Sequence, residues 1–126
     1  MPQLRLDLPG EPTELRAETR RLVEQHPEEG RLAIEDGRFI ADWLWLQWRE
    51  PLADCGAGYA HLLRTVRGYK SELRLWVVGE RPWDHCIAGL AGRVIRRLPQ
   101  ASLEQQDLGD CVAVGCGYIS GELVGA

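Results

Sequence analysis

The segment Leu73–Leu98, LRLWVVGERPWDHCIAGLAGRVIRRL, constrains the fold most, because its hydrophobic period changes at a Gly-Glu-Arg-Pro joint. Before the joint, Leu73, Leu75, Trp76, Val77 and Val78 make an apolar run of strand length that Gly79 closes. After it, Trp83, Ile87, Leu90, Ala91, Val94 and Leu98 recur at three- and four-residue steps and share one helical face. Pro82 suits a first helical turn, where its missing N–H costs nothing, and Asp84 lies near the positive end of the dipole. The segment reads as strand, turn, helix, with Val77, Val78, Trp83, Ile87 and Val94 buried where the two stripes meet.

The same reasoning extends along the chain. Leu4, Leu6 and Leu8 alternate with Arg5 and Asp7, the pattern of a half-buried strand, and Pro9-Gly10 ends it. Sparse apolar positions at Leu15, Leu22 and Val23 describe a surface helix from Pro12 to His26. Asp36-Gly37 is the dipeptide of a two-residue hairpin turn, and in that register Ile34 opposes Phe39, Leu32 opposes Ala41 and Glu35 opposes Arg38. A helix from about Ile40 to Arg49 competes, because Ile40, Trp43, Leu44 and Trp48 also fall at helical steps. Past Pro51 and the loop Asp54–Gly58, Tyr59, Leu62, Leu63 and Val66 mark a helix that Gly68 ends. Pro99 stops the helix that begins at Pro82, Ser102 to Gln105 offers a capping box, and the Gly-rich stretch Asp110–Val124 alternates as a last strand or strand pair. The order predicts one α+β domain over residues 1–126, a mixed sheet of about five to six strands covered by about three helices. A mostly α-helical bundle is the alternative.

The length suits one core, and no apolar run approaches the roughly 20 residues of a membrane span. The first residues lack a signal-peptide core, so a cytoplasmic protein with free thiols at Cys55, Cys86, Cys111 and Cys116 is expected. Charge is segregated: residues 1–63 carry 7 Lys/Arg against 12 Asp/Glu, residues 64–97 carry 8 against 3, and residues 98–126 carry none against 4. Internal pairing, head-to-tail association or a polyanion face would each produce that pattern.

No motif for nucleotide binding, hydrolysis or structural zinc is present. Cys111 and Cys116 lack the spacing of a zinc pair; Cys86 falls on the apolar side of its helix and His85 off it, so the two do not form a nucleophile and base. His61 is expected to project toward solvent. No residue is therefore singled out as catalytic, cofactor-binding or metal-ligating.

Tryptophan is the oddity, with Trp43, Trp45 and Trp48 inside six positions. In a strand both faces of that segment are apolar, which means a central strand or one covered by another molecule. Trp43, Trp45 and Trp48, with Arg93, Arg96 and Arg97, are the candidate interface residues, since Trp and Arg are the favoured anchors. The expected function is a small non-enzymatic protein-binding module of the adaptor, immunity, antitoxin or inhibitor type, homo-oligomeric, without a cofactor and away from membranes. A thiol- or metal-dependent enzyme using the cysteines with His61 or His85 is one alternative; nucleic-acid binding through residues 64–97 is another.

Overall fold

The computed structural model describes residues 4–98 in full, and residues 112–115 and 117–119 as backbone. Among the described residues the core is entirely helical: α1 Thr13–Gln25, α2 Pro27–Asp36, α3 Arg38–Asp54, α4 Tyr59–Gly68, α5 Lys70–Val77 and α6 Trp83–Arg96. The α+β reading, with its mixed sheet over about three helices, is overturned, and the helical bundle is the architecture. The described strands are a two-stranded antiparallel pair, β1 Val112–Gly115 with β2 Gly117–Ile119, in which Val112 faces Ile119 across the ladder. Pro99, the capping box at Ser102–Gln105 and the thiols Cys111 and Cys116 lie outside the described residues.

The four strands expected between residues 4 and 78 are something else. Residues 73–77 belong to α5, whose stripe of Leu73, Trp76 and Val77 is buried at helical steps; Val78 caps it half-exposed. Gly79 closes this helix and not a strand: it takes φ 88°, its N–H bonds to the Trp76 carbonyl, and the Glu80 N–H reaches back to Leu75 at 2.8 Å. That double bond pattern is a Schellman ending, which needs the left-handed backbone glycine takes freely.

The Asp36-Gly37 hairpin is likewise replaced by a helix–helix joint. Pro27 opens α2 with Glu28 and Glu29 in the first turn, and Gly37, at φ 80° and ψ −14°, ends α2 and starts α3. The sequence cue for positive φ is met, but by a helix cap instead of a primed turn. Leu32, which the hairpin would have buried, is 51% exposed. In α3, Ile40, Ala41, Leu44, Trp48 and Leu52 form one buried stripe, and the helix continues through Pro51 to Asp54. The apolar positions of that segment thus spread around a helix, with Leu44 and Trp48 buried, Trp43 and Trp45 half-buried and Leu46 exposed.

Residues 4–12 form no sheet. They run as an extended strap over the bundle with Leu6 buried, Leu4 half-buried and Leu8 exposed. The helices expected at Pro12–His26, after Pro51 and after Pro82 are present as α1, α4 and α6.

Replacing Gly37 with alanine should lower unfolding free energy by about 1–2 kcal/mol, the cost of a left-handed backbone for a residue with Cβ. The added carbon would also stand 3.1 Å from Val66 Cγ1 and 3.2 Å from Arg67 Cγ. Urea denaturation checks this; an unchanged midpoint would mean that the α2–α3 joint does not hold a left-handed residue.

Candidate functional site

The strap and the tryptophans form one construction. Trp48 on α3 donates its indole N–H to the Asp7 carbonyl at 2.8 Å, and Trp83 at the start of α6 donates to the Pro9 carbonyl at 2.7 Å. Trp76 on α5 donates to the Glu11 carboxylate at 2.9 Å. Three helices therefore aim one donor each at positions 7, 9 and 11: the Asp7 and Pro9 carbonyls, two residues apart on an extended chain, turn to the same edge, and Glu11 accepts through its side chain. The rings touch as well: Trp76 and Trp83 have centroids 4.9 Å apart, and Trp43 meets Trp83 edge-on at 5.9 Å. Arg16 finishes the arrangement by donating Nε to the Trp76 carbonyl at 2.9 Å, near the negative end of α5.

Beside the strap, where it enters α1, a groove of ≈ 560 Å³ opens between the two chain segments Glu11–Leu15 and Phe39–Leu46. Pro12, Leu15, Phe39, Trp43 and Leu46 make its walls apolar, and Glu11, Glu14 and Asp42 supply negative charge around it. Leu46 is 70% exposed, the most exposed large hydrophobic of the described chain. The α1 and α3 helices position the groove because Leu15 and Phe39 each sit at the margin of their own buried stripe.

The six interface candidates are not one cluster. Trp48 is 1% exposed, so it presents no side chain at the surface and instead holds the strap. Trp43 is half-buried and lines the groove; Trp45 lies edge-on to Tyr59, at the opposite end of α4 from the arginines. Arg93 donates to the Gly68 carbonyl at 3.1 Å and lies over the Tyr69 ring, while Arg96 and Arg97 are exposed. Since α4 has 10 residues, Tyr59 and Gly68 are separated by about 14 Å. Leu46, Trp76, Trp83 and the strap were not among the candidates. Leu46 lay unmarked in the tryptophan segment, and only the tertiary fold brings positions 7, 9 and 11 to three distant indoles.

The thiols and histidines show what the chain does with reactive groups. Burial pushes the Cys86 thiol up to about 12, and burial followed by the Asp54 charge raises Cys55. His61 is buried, contrary to the solvent-facing expectation, because α6 packs across that side of α4. Its Nε2 lies 3.0 Å from the Val94 carbonyl, which only accepts, so Nε2 carries the proton. Val94 is eight residues beyond Cys86 on α6, about 12 Å along the helix, which keeps His61 away from that thiol. His85 is exposed, as its position off the apolar face implied. Among the described residues no three His, Cys, Asp or Glu side chains converge as a metal set.

Comparison with protein-family models, with curated proteins and with solved structures finds no match to this chain.

Burial lowers the His61 pKa below 6.5, outweighing the Val94 hydrogen bond, and Arg64 and Arg97 lower it further. The unfolded chain therefore takes up this proton first as pH falls, and the stability that neutral His61 contributes is lost on acidification below about pH 6.5. A His61→Gln variant should show a flatter decline of Tm between about pH 7 and 5 than the wild-type protein. Parallel declines would mean that His61 is not held neutral in the fold.

Proposed function

We propose that this protein is a non-enzymatic binding module that acts by associating with protein, in the first instance with a second copy of itself, through the groove between α1 and α3. The observation that carries the reading is Leu46, 70% exposed beside Phe39, Trp43 and Leu15 in a surface cleft. A large aliphatic side chain standing out of a helix beside an aromatic-walled groove is the composition of an interface centre, and the acidic residues around it are the polar rim. The raised thiols and the carbonyl-bound His61 favour this over a thiol enzyme, since a nucleophile needs a depressed pKa and a base within reach. Arg93, Arg96 and Arg97 stand outside the groove, and among the described residues no ion pair holds them, so they are the basic counterpart for an acidic rim on a neighbouring molecule. No helix of the described residues is long and apolar enough to cross a membrane, in keeping with a partner met away from the bilayer. A cytoplasmic location belongs to the same reading.

Sedimentation over a micromolar concentration series tests it. The wild-type protein should self-associate, and Leu46→Glu should weaken the association at least about tenfold, because it removes the leucine at the centre of the interface and leaves a carboxylate there to be desolvated. Far-UV circular dichroism should stay the same, as Leu46 contributes nothing to the core. A wild-type protein that remains monomeric throughout, or a variant that associates equally well, contradicts the proposal.

A further inference from the structure

The strap is bound the way a ligand is bound. Among the described residues, no backbone–backbone hydrogen bond involves residues 4–11; the first begins where Pro12 accepts from the Arg16 N–H. What holds the segment is Leu6, 7% exposed, and the three indole donors at Asp7, Pro9 and Glu11. Arg5, Asp7, Leu8, Gly10 and Glu11 are otherwise turned to solvent. The site is thus built by the body of the protein and filled by the chain's own beginning.

We infer that the surface formed by Trp48, Trp76 and Trp83 is a binding site for an extended segment with an apolar anchor and an acidic end, and that it is filled in trans by residues 4–11 of a second copy. The chemistry of recognition is on both sides of the contact. A buried indole N–H left without an acceptor carries a desolvation cost, so an emptied site selects a segment that restores all three bonds, and the same strap from a neighbouring molecule restores each of them. The connection permits it: Pro9-Gly10-Glu11-Pro12 joins strap to α1, and a side chain built at Gly10 would meet nothing within 4 Å, so the backbone there can change direction without breaking packing. The neighbour is also in reach. The groove of Leu46 has Glu11 and Pro12 in its wall, and its Trp43 touches Trp83, so a molecule seated on the groove stands beside the hinge. Naming a second copy as donor rests on the self-association proposed above, whereas the site itself does not.

The test uses the full chain with Leu6→Asp, whose own strap has lost its anchor, and a fluorescent peptide of residues 4–12 as the stand-in for a partner's strap. Should the aspartate unfold the bundle by circular dichroism, Leu6→Ala serves instead. The peptide should bind saturably; adding Trp83→Phe, which deletes the donor to Pro9, should weaken binding about fivefold, one neutral hydrogen bond, while Trp45→Phe leaves it unchanged. No binding, or binding indifferent to Trp83→Phe, overturns the site. The donor is read by native mass spectrometry after refolding at high concentration. After dilution to a concentration at which the groove contact alone dissociates, the wild-type chain should remain a dimer, held by the exchanged strap, and Leu6→Asp should not; equal persistence in the two proteins, or no persistent dimer in the wild type, overturns the exchange. Peptide binding does not pass through Leu46, so a failed groove and a failed strap site give different results.

Discussion

Three indole N–H groups sunk in a helical core need acceptors, and the rest of the structure is organised around supplying them. Each tryptophan comes from a different helix, and none of the three bonds goes to a helix carbonyl of the bundle. An extended segment has free carbonyls along its edge, and residues 4–11 provide two of them, with the Glu11 carboxylate as the third acceptor. This explains why residues 4–8 alternate yet pair with no strand, and why Pro9 and Pro12 are tolerated beside them: neither has an N–H to leave unpaired. It also explains how Trp76, Trp83 and Trp43 can stack as one aromatic cluster beneath a segment with little core of its own.

A core arranged in this way leaves its reactive groups occupied. Cys86 is fully buried and its thiol strongly disfavours ionisation; His61 spends its proton on Val94, and the Thr65 and Thr19 hydroxyls bond back to the carbonyls one turn earlier. The His61 bond ties α4 to α6, while the threonine bonds close within their own helices; outside stand Leu46 in its groove and, near the Gly68 end of α4, Arg93. The charge segregation visible in the sequence is bridged at one surface pair, where Arg67 of the basic segment reaches Asp36 of the acidic one.

The helical stripes of α1, α4 and α6 were legible in the sequence because a three- to four-residue period sustained over ten or more positions has one interpretation. The stretches that misled are those where a helix imitates a strand. In α5 a short run of apolar residues precedes a glycine, and five or six positions are too few to separate the two periods; the glycine marks an ending without saying of what. At Asp36-Gly37 the positive φ was readable and its setting was not, because a primed turn and a helix cap ask for the same residue. The strap was readable as an extended segment with Leu6 inward, but not its partners, since a hydrogen bond spanning 41 residues, as from Trp48 to Asp7, leaves no local trace. The tryptophan excess was the true signal, and its meaning lay in indole donors needing acceptors more than in exposed anchors.

Hydrogen exchange of the indole N–H groups, resolved by NMR on the wild-type chain, tests the central claim most directly. If one strap satisfies three buried donors, the protons of Trp48, Trp76 and Trp83 are protected together and exchange at a common rate, set by release of the strap, while that of Trp45 exchanges far faster. Exchange of all four at the rate of an exposed indole, or protection of the three at unrelated rates, would contradict the account.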